Sequence, residues 1–140
     1  RQIEAPPRSR EALEAFAEAL ASMTLEGGVL LAPLLKLPNR DALAQVADFL
    51  LATEGVETVV VYGPRQGRVI LSARSRHPDL HLGRALAGRF PDGQAGGHRS
   101  LAGGQVHFAG LVDHENPSPD EAIAAMTDVL RLLFGGDGDE

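Results

Sequence analysis

The sequence predicts an α/β domain with a mixed sheet of about four to five strands flanked by helices. Three observations carry that expectation. Segments with apolar residues at helical spacing alternate with short β-branched runs, which favours helices layered on a sheet. The run over residues 58–62 is continuously apolar or β-branched, as a strand buried on both faces requires. The chain has 140 residues with 44% apolar content, enough for one compact core. Aromatics are only 4% and Trp is absent, so Leu, Val, Ile and Ala must build that core.

Residues 1–8 hold Pro6 and Pro7 and read as a linker. Ser9 is placed to cap a helix whose apolar face is Leu13, Phe16, Ala17 and Leu20. Gly27 and Gly28 end that region, and residues 29–35 read as a buried strand closing near Pro33. Pro38 and Asn39 open a second helix with a Leu43, Val46, Ala47 and Leu50 stripe, ended by Gly55. After strand 58–62, residues 63–67 with Pro64 read as a turn, and 68–74 alternates as the second arm of a hairpin. Leu82, Ala85 and Leu86 mark a short helix up to Phe90. Residues 91–104 are glycine-rich with almost no apolar periodicity, and 105–111 reads as a last strand. Ser118-Pro119-Asp120-Glu121 combines a capping box with proline at the first helical position. Ile123, Met126, Leu130 and Leu133 form the stripe of that helix, Gly135 stops it, and the acidic tail 135–140 reads as disordered. The folded domain is thus expected over 9–134.

Charge and composition bound the function. Thirteen basic and 19 acidic residues give a net charge of −6, which argues against broad duplex binding but leaves room for a local phosphate pocket. Cysteine is absent, so disulfide frameworks and thiolate metal sites are excluded, and a reducing cytoplasm fits. The longest apolar run, 29–35, is broken by Pro33 and too short to span a bilayer. No membrane partner is expected. The chain begins at Arg1 rather than Met, which suggests a piece of a longer protein.

Two segments have the residue types for anion chemistry. In Leu71-Ser72-Ala73-Arg74-Ser75-Arg76, strand alternation puts Ser72 and Arg74 on one face, with Val69, Leu71 and Ala73 facing the core. A guanidinium offers a rigid fork of donors that matches a phosphate, and a neighbouring hydroxyl adds one more. The plain alternative is a solvated strand end. In the stretch from Gly93 to Gly104, paired glycines let backbone N–H groups converge on an anion, and a helical turn starting at Gly97 would add more. His98 is placed to donate to a phosphate or sugar oxygen. Here the alternative is a flexible loop.

Taken together, a strand ending in Ser-x-Arg-Ser-Arg, a short helix, Gly-Gly-His-x-x-x-Ala-Gly-Gly and a further strand resemble the DHH-associated domain. That domain is the C-terminal half of the DHH phosphoesterases, which include RecJ-like exonucleases, oligoribonucleases and cyclic dinucleotide phosphodiesterases. The resemblance runs roughly over 29–108 and includes Val59-Val60-Val61-Tyr62-Gly63. It implies substrate binding by Arg74, Gly96, Gly97 and His98, with Ser72 and Ser75 as further candidates. It implies no catalytic residue and no metal ligand in this chain. The divalent metals, often manganese, would sit in an N-terminal DHH domain across the cleft. The implied ligand is a nucleotide or short single-stranded oligonucleotide, and a homodimer is a further expectation. A regulatory nucleotide sensor and an assembly or transfer-RNA-associated module are the alternatives.

Two positions depart from the family motif: Ala95 replaces its first glycine and Leu101 its first alanine. The Ala95 methyl is expected to narrow the pocket or change substrate preference. Asp113-His114-Glu115 echoes the metal-binding cluster but lacks a second carboxylate and histidine set. His77 and His81 have metal-like spacing only on a helix, which Pro78 opposes. His107 reads as structural. Arg65 and Arg68 flank the hairpin turn and read as solvated, with contact to a nucleic-acid backbone as the alternative.

Overall fold

The computed structural model describes residues 10–36 and 39–135. The linker, Ser9, Pro38 and the tail beyond Gly135 lie outside them. In chain order the elements are α1 (Arg10–Ser22), β1 (Thr24–Glu26), β2 (Val29–Pro33), α2 (Arg40–Leu51), β3 (Thr58–Arg65), β4 (Arg68–Ser75), α3 (Leu82–Arg89), β5 (Ala95–Gly97), β6 (Leu101–His107) and α4 (Pro119–Phe134). A single 3₁₀ turn, Phe108–Gly110, follows β6.

The sheet is mixed, in the order β1-β2-β3-β4-β6-β5, with β2 and β3 parallel and every other pair antiparallel. Six strands replace the expected four to five. The two additions, β1 and β5, have three residues each, too short to display a period of two. One face, with Val59, Val61 and Ile70, packs under α1 and α2. The other, with Val60, Tyr62, Val69, Leu71 and Ala73, packs under α3 and α4. β3 therefore buries both faces, as its continuous composition predicts.

Three expectations are corrected. First, α1 turns Ala12, Ala15 and Ala19 inward, while Leu13 and Leu20 stay 57% and 55% exposed. The small residues allow a close approach to α2 and β2. The larger ones gather instead at the outer seam, where Phe16 meets Phe49 edge-on at 5.0 Å. Second, residues 63–65 continue β3, and the turn is Gln66-Gly67, with φ of 52° and 77°. Positive φ at both positions is the tight hairpin connection that matches strand twist. Pro64 is tolerated because β2 pairing ends at Tyr62, so no neighbour needs its missing N–H. Third, the last long strand is Leu101–His107 rather than 105–111, and the glycine-rich stretch folds into it as a hairpin.

Two predicted caps form. Asn39 accepts from the Ala42 N–H at 2.8 Å. Ser118 and Glu121 close a reciprocal capping box at 3.1 and 2.8 Å.

Candidate functional site

The end of β4 and the β5–β6 turn meet at one corner of the sheet. Arg74 is directly cross-strand from Leu101, and Ser72 from Gly103. Gly103 pairs in turn with Gly96. Antiparallel partners share a face, so Ser72, Arg74 and Leu101 lie together on the face that α1 and α2 cover. Those helices pack over β2, β3 and β4. Beyond β4 this face is open: Leu101 is 49% exposed, and Gly103 and Gln105 are only partly covered.

The turn itself is held by backbone bonds. The His98 N–H donates to the Leu101 carbonyl at 2.8 Å, and the Ser75 N–H donates to the Ser100 carbonyl at 3.0 Å. The first N–H groups of α3 donate to the same turn: Leu82 to the Arg99 carbonyl and Gly83 to the His98 carbonyl, both at 2.9 Å. The next, Arg84, donates to the His81 ring at 3.1 Å. A helix start normally leaves such donors free. Here they clamp the turn rather than await an anion. Seating α3 this closely requires Gly83, since a Cβ there would lie 2.0 Å from the Gly97 carbonyl oxygen.

No helix begins at Gly97. Gly96 and Gly97 are extended at φ of 159° and 144°, values glycine tolerates best. Hydrogen-bonded pairs alternate along an antiparallel ladder. Because the His98 N–H and the Gln105 N–H both close bonds across it, Gly96 is a ladder-bonded position and Gly97 is not. Gly97 therefore points its N–H away from β6, toward the side on which Gly83 of α3 approaches. The His98 side chain is exposed and makes no hydrogen bond among the described residues.

Arg74 is only 9% exposed. Its Nε donates to Asp48 Oδ1 of α2 at 2.7 Å, and Nη1 donates to its own neighbour's carbonyl, that of Ala73, at 3.0 Å. Nη2 makes no hydrogen bond among the described residues. Asp48 carries no sequence signal, because only the topology brings α2 alongside β4. Arg76 and Arg99 flank the corner, both exposed, so it is locally cationic on an acidic chain.

Ser75 does not join this group. It lies on the opposite face, buried, with its hydroxyl 2.9 Å from Thr58 Oγ1 and accepting from the His77 N–H at 3.1 Å. The expectation for Ala95 is also overturned. Its methyl is buried in the core with Leu82, Leu86 and Ala102, so it cannot narrow a pocket on the open face. Leu101, the other departure, is the one that borders Arg74.

The histidines away from this corner have local roles. The His77 ring accepts from the Asp79 N–H at 3.1 Å, and His81 caps α3. His114 donates from Nδ1 to the Glu115 carbonyl and pairs through Nε2 with Glu121 of the α4 capping box, both at 2.8 Å. His107 is exposed at the end of β6. Among the described residues no group of three or more His, Asp or Glu side chains is placed to hold a metal ion. No described helix is long and apolar enough to cross a membrane.

The sequence profile of the DHHA1 domain matches residues 27–131. An uncharacterized protein of Methanocaldococcus jannaschii is 36% identical over 137 residues, covering 94% of this chain and 28% of that protein. Three solved structures share the fold. An exopolyphosphatase-related protein from Bacteroides fragilis has a TM-score of 0.63 at 18% identity, over 91% of this chain and 37% of its own. The pGpG-specific phosphodiesterase PggH from Vibrio cholerae has 0.56 at 10%, over 91% and 40%. The C-Ala domain of Aquifex aeolicus alanyl-tRNA synthetase has 0.56 at 17%, over 82% and 99%. The chain thus spans about a quarter of the archaeal relative and well under half of the first two solved chains.

Proposed function

The chain belongs to the DHHA1 domain family, and from that premise we propose that it is the substrate-binding half of a DHH-type phosphoesterase. Its ligand in this reading is the phosphate and sugar of a nucleotide or short single-stranded oligonucleotide. The observation that supports this best is the placing of Ser72, Arg74 and the exposed His98 ring at one cationic corner of the sheet. Arg74 Nη2 would clamp a phosphate, with Ser72 beside it. His98 would add a bond to a phosphate or sugar oxygen, with Gly97 setting the extended backbone that carries the ring to the corner. Gly96 contributes by keeping the strand free of a side chain rather than by donating.

The hydrolytic step belongs to an N-terminal DHH domain of the same protein. A divalent metal, manganese in our reading, would there activate water and stabilise charge on the phosphate. We assign the residues of this chain to substrate binding and the catalytic groups to that domain. Each charge-assisted contact is worth about 1.5–3 kcal/mol. Two or three of them leave the isolated half-site weak, because association entropy cancels much of the gain.

A second reading, a transfer-RNA-associated module without hydrolysis, draws on the C-Ala fold, nearly all of which the chain matches. Titration of the nitrogen-15-labelled chain with a 5′-phosphorylated dinucleotide tests the first reading. Saturable amide shifts at Arg74, Gly97 and His98, lost in Arg74→Ala, are expected. Undisturbed amides there at millimolar ligand would count against it.

A further inference from the structure

A second cationic pocket lies on the same sheet face, at the other end of β4. It encloses about 360 Å³ between the start of α2 and the β3–β4 hairpin, with Arg40, Arg65 and Arg68 around it and Ile70 and Gln105 as floor. Asp41 also lines it, so three positive charges face one negative charge. None of the three arginines makes a salt bridge or side-chain hydrogen bond among the described residues.

The arrangement is electrostatically unfavourable without a ligand. Arg65 and Arg68 are direct cross-strand partners, and like charges so placed repel. Arg40 is the first residue of α2, at the positive end of the helix dipole, where a cation is disfavoured. An anion in the pocket would relieve both repulsions at once. The floor connects the pocket to the Arg74 corner. Ile70 is paired with Gln105 and Ser72 with Gly103, so from Arg68 to Arg74 the partly exposed β6 residues Gln105, Gly103 and Leu101 run beside β4, whose own Ile70 and Arg74 are buried. Six residues of strand span about 20 Å. With stacked nucleotides rising about 3.4 Å each, that is roughly six nucleotides, fewer if the strand is extended.

We propose that this pocket is a second phosphate-binding site, which holds the backbone of a single-stranded oligonucleotide whose other end lies at Arg74 and His98. The proposal rests on the function read above and narrows its substrate class: chains of several nucleotides should bind better than dinucleotides. An acidic chain with cationic sites along this strip would favour a single strand following it over a duplex lying across the face.

The test titrates the labelled 140-residue chain with 5′-phosphorylated diadenylate, 5′-phosphorylated hexaadenylate and inorganic phosphate. Hexaadenylate should shift amides at Gln66, Arg68 and Gln105 as well as at Arg74 and His98, and diadenylate only the latter two. A combined Arg40→Gln, Arg65→Gln, Arg68→Gln variant should bind hexaadenylate about tenfold or more weakly, with diadenylate unchanged. Its salt dependence should flatten too, by about 0.7 in log–log slope for each phosphate that is no longer neutralised. Arg40→Gln alone, at an exposed first-turn position, gives the same direction if the combined variant folds poorly. A control with Arg10, Lys36 and Arg131 changed to Gln removes equal charge elsewhere and should leave both affinities unchanged. Equal affinity of both adenylates for the native chain, or equal weakening by the control, would overturn the proposal. So would inorganic phosphate filling the pocket as tightly as hexaadenylate. Pocket shifts with a silent Arg74 corner would support the pocket and sink the nucleotide reading at Arg74. Corner shifts with a silent pocket would do the reverse.

Discussion

Asp48 holds Arg74 by a single 2.7 Å bond to Nε, and the two differ greatly in exposure: the carboxylate side chain is 65% accessible and the guanidinium side chain 10%. A bond at Nε fixes the plane of the guanidinium and leaves Nη2, on the same edge as the Nε–H, without a protein acceptor among the described residues. The pair therefore orients the phosphate fork more than it stabilises the fold, since a partner this exposed is well screened.

Asp48→Asn keeps an oxygen acceptor for Nε but removes a negative charge beside the phosphate site. Phosphate-bearing ligands should bind several-fold tighter, and the gain should shrink in high salt. Asp48→Ala removes the acceptor and leaves Arg74 underbonded, at a cost of about 1 kcal/mol in stability. Urea unfolding and parallel titrations of the two variants separate orientation from charge.

Gly83 is a positioning residue for the turn, although it touches no ligand in this reading. In Gly83→Ala the new methyl would meet the Gly97 carbonyl, so α3 must retreat. Overpacking of this kind costs about 1–3 kcal/mol. Amide shifts should concentrate at residues 96–100, where α3 holds the turn, and nucleotide binding should fall with them. A variant with unchanged shifts there would mean that the clamp is not tight.

Ala95 and Leu101 should separate cleanly. Ala95→Gly deletes a core methyl and frees the backbone, lowering stability by about 1 kcal/mol without changing ligand preference. Leu101→Ala leaves stability nearly unchanged, because the side chain is half exposed, and enlarges the open space beside Arg74. Binding of bulkier nucleotides is expected to respond only to the second change, as measured by competition between mono- and oligonucleotides.

These positions also mark how far the sequence can be read. Strand alternation alone places Ser72 and Arg74 on one face, and residue type alone places the α2 and α4 caps. β5 is not legible, because Ala95-Gly96-Gly97 has neither a period nor a β-branched residue, and its strand exists through pairing with β6. The inward face of α1 is hidden for a different reason. Hydrophobic size points to Leu13 and Leu20, whereas close packing on α2 selects alanine. Asp48 beside Arg74, and Arg40 beside the hairpin pair Arg65 and Arg68, depend on α2 running along β4, a tertiary relation without local signal.

Tyr62 is buried on β3, and burial raises its hydroxyl above the usual tyrosine value of 10.0. Its O–H lies 2.6 Å from Thr127 Oγ1, which donates onward to the Ile123 carbonyl at 2.9 Å. Thr127 thus accepts from Tyr62 and ties α4 to the sheet. Thr127→Val would strand the phenol and should cost about 1–2 kcal/mol. Tyr62→Phe removes donor and need together and should cost less. The ranking is checked by denaturant unfolding, and the reverse order would contradict this direction of donation.

The α4 start should be most stable in mildly acidic solution. His114 is raised above its ordinary 6.5, first by its bond to the Glu115 carbonyl and then by Glu121. Its contribution is complete below 6.5 and is lost as pH rises through the elevated value. Glu121 is lowered below its ordinary 4.5, first by the Ser118 N–H and then by His114. Its contribution is present above 4.5 and is lost as pH falls through the depressed value. Both act together between 4.5 and 6.5. Amide-exchange protection of the first turn of α4, corrected for intrinsic exchange, should peak in that window and decline above it. His114→Gln should abolish the decline on the alkaline side while leaving the acid side in place. A profile that stays flat from about pH 5 to about 8 in the native chain would show that the His114–Glu121 contact is not formed.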